Sequence, residues 1–481
     1  MNYFQLVFKQ MRQRALSTWL TTLSVMLGVA LAIAIMVMGR ESQSLFGQSD
    51  YGYDAIIGKK GSKLQLVLNT IYHLDVSPGN IPFEQYTRLL KLPDGVPVPP
   101  DNYYKYVKLA EPFVVGDTLN GQYRIVGTLN SYFGFDDQGR PLAPDEVMDY
   151  RPGQKLQIAQ GRVFAANKFE AVVGGDIPRL TGEGIGSQFQ ATHGTPIPGE
   201  PRDVHKQLWT IVGVLAPTHT AIDRVVYIPL ISFYTIPAHA AGLRAHAKLR
   251  AGEQPDYSDL LSNEPEQVPT PDANGIQHFP NYDFNTKNGT ISKVISEDLW
   301  EISGIQVQSR GGADEARLEY ALNNSSEVMC VNPASVMREF FDTFLKPMRR
   351  VLLIICSLVT VVAAVGILVS IYNSVSARLK EIAILRALGA TRGVVLTLIC
   401  LEAGIIASIG AALGLILGHI INAIGAWYML HDFGEVLQYD WHEVGLELLY
   451  AVAVIILAVL AGLVPAVKAY KTPVATNLVA G

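Results

Sequence analysis

The sequence predicts an α-helical four-span membrane bundle in a 1+3 arrangement, with a large α+β extracytoplasmic domain inserted between spans one and two. Three observations predict it. Only 17% of the 481 residues are charged, against about 25% in ordinary soluble domains. Four apolar stretches reach the roughly 20 residues that a helix needs to cross a hydrocarbon core about 30 Å thick. A hydrophobic share of 49% is nevertheless too low for a chain buried throughout in lipid, so membrane and water-exposed parts must be separate along it. The net charge of -5, from 38 Lys and Arg against 43 Asp and Glu, excludes a nucleic-acid binder that works through a basic surface. Three cysteines (Cys330, Cys356, Cys400) exclude a disulfide framework.

Taken in order, residues 1–17 read as an amphipathic helix on the cytoplasmic face of the membrane, or equally as a plain helical lead-in to the first span. Phe4, Val7, Phe8 and Met11 recur at i, i+3, i+4, i+7 and suit a helix lying among lipid headgroups. The first span covers 18–38, where Thr18 to Met38 carries no charge. Its apolar run exceeds the 7–15 residues usual in a signal peptide, so it reads as an uncleaved anchor. The inserted domain covers 39–345. Its two ends read as halves of one α/β unit: a strand at Asp54 to Ile57 with a helix bearing Leu64, Val67, Leu68 and Ile71, and a strand at Ile305 to Gln308, a helix over Ala313 to Leu322 and a strand from Glu327 to Val331. The middle, about 111–280, is β-rich, with strands at Tyr123 to Leu129, Ala171 to Val173, Leu208 to Leu215 and Val225 to Ile228. Pro-rich connectors separate them at Pro93 to Pro100, Pro196 to Pro201 and Pro255 to Pro271.

The second span covers 346–372, a cytoplasmic loop 373–393 and the third span 394–424. An extracytoplasmic loop (425–444), the fourth span (445–467) and a cytoplasmic tail (468–481) follow. Orientation comes from Lys and Arg in the short flanks. Lys9, Arg12 and Arg14 precede the first span, Arg378, Lys380, Arg386 and Arg392 lie in the 373–393 loop, and Lys468 and Lys471 follow the fourth span. The loop from Met429 to Val444 has no Lys or Arg. Both termini are therefore expected in the cytoplasm.

No catalytic constellation is expected. Gly52 to Lys60 imitates a phosphate-binding loop, but five residues separate its glycines where four are required, and Lys60 stands where Ser or Thr must meet magnesium. His442-Glu443 has no second histidine at zinc-protease spacing. His193, His205, His219, His239 and His246 lack tight ligand spacing and read as surface residues, so no metal site is expected.

The 373–393 loop mixes charge with apolar residues. Leu379, Ile382 and Leu385 line one side, Lys380 points away, Glu381 and Arg386 lie near the apolar side, and Gly389 supplies a stop before Thr391. Such a helix between two spans either receives force from a cytoplasmic partner or rests on headgroups. In the third span Gly410, Gly414 and Gly418 form a small-xxx-small stripe for close helix packing, and Glu402 is an intramembrane carboxyl that needs snorkelling or a partner.

The segment KEIAILRALGATR closely resembles the REIGIRRALGAxR segment of the MacB/LolC/LolE/FtsX-type permeases, the type VII ABC transporters. Glu381, Ile382, Ile384, Arg386, Ala387, Leu388, Gly389, Ala390 and Arg392 match, whereas Lys380, Ala383 and Leu385 replace Arg, Gly and Arg. The likeness extends to Leu401-Glu402-Ala403, to the three glycines of the stripe, to the opening helix and to the 1+3 plan around an outer core domain like that of MacB.

The resemblance implies a permease in the bacterial inner membrane without a catalytic site or cofactor of its own. ATP and magnesium would sit on separate cytoplasmic ATPase subunits that dock on the loop through Arg378, Lys380, Glu381, Arg386 and Gly389. The outer domain would move with ATP hydrolysis, for efflux or for extraction of a lipoprotein or other periplasmic substrate. Further partners implied are a second permease copy or paralogue and a periplasmic adaptor or lipoprotein. The alternative is an FtsX-like mechanical regulator of an outer enzyme, without transport.

Overall fold

A computed structural model of the chain describes residues 3–46, 51–74, 76–93, 95–194, 203–255, 258, 268–324, 327–387, 389–433 and 444–471. The chain divides into two compact units, one from the helices before residue 47 and after residue 340, the other from residues 47–340. Helices of eight or more residues run α1 (Tyr3–Gln13), α2 (Ala15–Phe46), α3 (Lys63–Thr70), α4 (Pro237–Arg250), α5 (Gly312–Asn323), α6 (Pro333–Phe340), α7 (Lys346–Ala377), α8 (Leu379–Ala387), α9 (Arg392–Phe433) and α10 (Val444–Lys471). The strands of the main sheet are β1 (Ala55–Lys59), β2 (Val107–Leu119), β3 (Tyr123–Thr128), β4 (Ile158–Gly161), β5 (Glu170–Val173), β6 (Gln188–Phe189), β7 (Ala191–His193), β8 (Trp209–Leu215), β9 (Val226–Pro229), β10 (Gly304–Ser309) and β11 (Val328–Val331).

In the helical unit, α2, α7, α9 and α10 each contain a segment long and apolar enough to cross a membrane. Their buried residues recur every four positions: Val25, Val29, Ile33 and Val37 on α2, Ala363, Ile367, Ile371 and Val375 on α7, and Val395, Ile399, Ala403, Ala407 and Ala411 on α9. Rows at i±4 are the ridges by which helices interdigitate. Leu27 and Leu31 on α2 and Val362 and Val365 on α7 stay exposed on the faces turned from this core, as lipid-facing residues must. Two side-chain hydrogen bonds add to the packing, Ser17 to Ser370 at 2.9 Å and Thr360 to Tyr450 at 2.8 Å.

Helix α1 has protein over part of its apolar stripe. Val7 and Met11 are buried against Ile406 of α9, while Phe8 is exposed. The expected loop 425–444 and tail 468–481 lie partly at 434–443 and 472–481, outside the described residues, as do the whole Pro196 to Pro201 connector and most of Pro255 to Pro271.

In the other unit the main sheet runs β11-β1-β10-β2-β3-β9-β5-β8-β4, with β6 beside β8 and β7 beside β2. The two ends of the inserted domain do form one structure, since β1 pairs antiparallel with both β10 and β11. The sheet is mixed: β9 lies parallel to β3 and β5 to β8. Neighbouring residues feed opposite faces, Ile125, Val173 and Val226 one core and Val126, Val172 and Tyr227 another. A sheet covered on both faces reads as continuous apolar runs, which is why these strands stand out in the sequence. The phosphate-loop imitation is strand: Gly58 lies in β1, and a Cβ there would meet Leu66 Cδ1 at 2.3 Å. Helix α4 falls inside the span expected to be β-rich. Its inward face is largely Ala240, Ala241 and Ala245, which carry little hydrophobic contrast.

A buried carboxyl in β2 makes the fold pH-sensitive. Glu111 accepts a 2.9 Å hydrogen bond from the Ser131 hydroxyl, and burial pushes its carboxyl from 4.5 up to about 8 against that bond. Between those values the folded chain holds a proton that the unfolded chain has lost, so stability falls as pH rises across that window. Glu111→Gln keeps an acceptor for Ser131 and removes the titration. It is expected to stabilise the chain at pH 7, by at most about 3 kcal/mol, and to flatten this slope in denaturant unfolding at pH 5 and pH 8. Equal slopes in both proteins would contradict it.

Candidate functional site

The loop between α7 and α9 is a short helix with one inward and one outward side. Ala383 is buried, and Leu379 and Ile382 pack against the helical core. Lys380, Glu381 and Ile384 are exposed, and Arg378 and Arg386 are half-buried. Ala383 occupies the position where the resembling segment carries Gly, and it is buried. The side chain of Leu385 and all of Leu388 lie outside the described residues. Gly389 closes the helix in a left-handed conformation, φ +101°, that suits glycine. Thr391 then offers its hydroxyl to the Val394 N–H, at 3.4 Å, at the start of α9. The result is a short helical knob whose outward side combines cation, anion and aliphatic surface.

The glycine stripe lies against α2. A Cβ on Gly410 would fall 2.8 Å from Val25 Cβ, on Gly414 2.7 Å from Val29 Cβ, and on Gly418 2.8 Å from Ile33 Cβ. The backbone carbonyls of Thr22, Met26 and Ala30 stand 2.8–3.1 Å from the same positions, so a side-chain shift alone would not make room. Glu402 is buried in α9, within reach of the charges of Arg378 and Arg14.

His419 of α9 and Glu447 of α10 belong to one cluster. The buried Glu447 lies 2.7 Å from Arg40 Nη2 and 3.0 Å from His419 Nε2, which ties α2, α9 and α10 together. Charges inside a bundle that pair in this way satisfy the demand of a low-dielectric setting.

Of the five histidines read as surface residues, His193, His219 and His246 are exposed, whereas His205 and His239 require a correction. His193, His205 and His239 converge on Asp117, with one ligand-type atom from each within 4.8 Å of every other. Asp117 is fully buried in β2, and the His205 and His239 side chains are only 3% and 8% exposed. Pairing of β2 with β7 sets Asp117 opposite His193. His205 is carried in by its backbone N–H to the Ala191 carbonyl, 2.8 Å, and His239 by the first turn of α4. Burial alone would push the Asp117 carboxyl up. The imidazoles, His239 foremost, outweigh it and hold the group well below the usual carboxylate range. The hydrogen bond to Asp117 raises His193. A signal was present in sequence: an acid inside the apolar run Phe113 to Leu119 demands a partner when buried.

Two family models match the chain. That of the FtsX-like permease C-terminal domain matches residues 353–474, and that of the MacB-like periplasmic core domain matches residues 18–257. No curated protein matches it. The second match stops short of β10 and β11, which complete one edge of the sheet.

Proposed function

The chain belongs to the ABC transporter permeases of MacB/FtsX type, and on that premise we propose that it converts ATP hydrolysis by separate cytoplasmic ATPase subunits into movement of its extracytoplasmic domain. The work done is efflux, or extraction of a lipoprotein or another periplasmic substrate. The observation that carries this reading is the α8 knob, held by Leu379, Ile382 and Ala383 while Lys380, Glu381 and Ile384 face outward. A helix that merely rested on headgroups would keep its aliphatic residues together on one side. Here Ile384 stands beside the charges, as in a surface that meets protein.

The test removes the charges. Losing one half of a buried interfacial charge pair costs about 2–5 kcal/mol, a factor of about 30 or more in affinity. Glu381→Ala combined with Arg386→Ala is expected to release the ATPase chain in pull-down and to lower ATP turnover of the reconstituted complex. Wild-type pull-down and turnover in the double variant would overturn the proposal.

The membrane is the bacterial inner membrane and both termini are cytoplasmic, a reading supported by the Lys and Arg of the 373–393 loop. With the native cysteines replaced, a cysteine at Gln138 is expected to react with an impermeant thiol reagent in intact spheroplasts, and one at Ser376 only after lysis. Equal labelling in sealed cells would reverse the assignment.

A further inference from the structure

We propose that Asp117, His193, His205 and His239 form a metal site for a divalent transition cation of the zinc class. The first argument is that two buried ligand atoms lack hydrogen bonds. Neither Asp117 Oδ2 nor His239 Nε2 has a hydrogen-bond partner, although buried polar atoms rarely go without one. The His239 tautomer sharpens this. Its Nδ1 lies 3.0 Å from the Phe233 carbonyl, a group that only accepts, so Nδ1 carries the proton. Protonated, the ring would pair with Asp117; in the neutral form that can hold a metal, the Nε2 lone pair lies 3.3 Å from Asp117 Oδ1. Two lone pairs facing each other in a dry site repel, and a cation between them turns the repulsion into two bonds. A backbone carbonyl on the far nitrogen is also the usual way a ligating histidine is oriented.

Geometry points the same way. Zinc–ligand bonds of about 2.0–2.1 Å in a tetrahedron place neighbouring donor atoms about 3.3–3.4 Å apart. Asp117 Oδ1 lies 3.3 Å from His205 Nε2, 3.3 Å from His239 Nε2 and 3.5 Å from His193 Nδ1. Three imidazoles with one carboxylate suit zinc and its neighbours and not magnesium or calcium, which take oxygen. Phe233 stacks on His239 at 4.1 Å and walls the site, while the half-exposed His193 marks the side open to entry. Four protein ligands make a closed site, so the cation would staple β2, β7, the segment at His205 and α4 together.

The test uses the full chain in detergent, purified without a histidine tag and stripped with chelator. Zinc titration by calorimetry is expected to show one ion per chain, cobalt to give the intense visible bands of tetrahedral coordination, and zinc to raise the unfolding temperature. His239→Gln is expected to weaken zinc binding at least 100-fold. His193→Ala, at the open side and least able to disturb folding, is expected to weaken it at least 10-fold with the apo unfolding temperature unchanged. Absence of stoichiometric binding, octahedral cobalt spectra, or wild-type affinity in a folded His193→Ala chain would each overturn the proposal.

Discussion

Replacing Gly414 by Leu is expected to abolish assembly of the helical unit. The substituted Cβ alone would stand 2.7 Å from Val29 Cβ and 2.8 Å from the Met26 carbonyl oxygen. Neither neighbour is the free end of a flexible side chain, so α2 and α9 must separate along the whole stripe. Between lipid-embedded helices, close van der Waals packing at small residues replaces the hydrophobic drive available in water. Overpacking a core costs about 1–3 kcal/mol, and a backbone collision places this variant at or above the top of that range. Membrane insertion is expected to stay normal, because it follows hydropathy, while the yield of monodisperse protein in detergent collapses. Gly414→Ala should show the same loss in milder form. Wild-type yield and thermal stability in the Leu variant would mean that α2 and α9 do not pack as described.

The second large effect is expected at Glu447. Its carboxylate is 3% exposed and meets both Arg40 and His419. Glu447→Ala leaves Arg40 without this counter-ion where three helices join. Breaking a buried pair by removing one partner costs about 3–5 kcal/mol, and the quarter-exposed Arg40 side chain places this one near the lower end. Replacing both Arg40 and Glu447 by Leu removes the two charges together and is expected to restore most of the stability. Unfolding in denaturant, compared across the two single variants and the double, measures the coupling. Additive losses would show that the cluster contributes nothing as a unit.

Much of the fold was legible in the chain because its signals are local. A backbone in lipid must satisfy its own hydrogen bonds, so length and hydropathy suffice to mark spanning helices. The strands around Ile57, Val172, Ile211 and Val226 are buried on both faces and read as β-branched runs. The turn at Gly389 and the charges of α8 follow from residue type and from Lys/Arg bias in the same way. Helix α4 escaped because alanines on its inner face carry no contrast, and the cover over Val7 and Met11 escaped because periodicity marks a buried face without naming what buries it.

The sequence by itself thus determined the four spans, the inserted α/β domain and the short charged helix between spans, all set by residues near one another in the chain. Only the tertiary structure decided that Gly414 meets Val29, that Glu447 answers Arg40 and His419, and that Asp117 gathers three histidines from β7, the His205 segment and α4. Those meetings depend on sheet register and helix packing between distant segments: spacing along the chain can mark a glycine stripe or a buried acid but not the residue that each one meets.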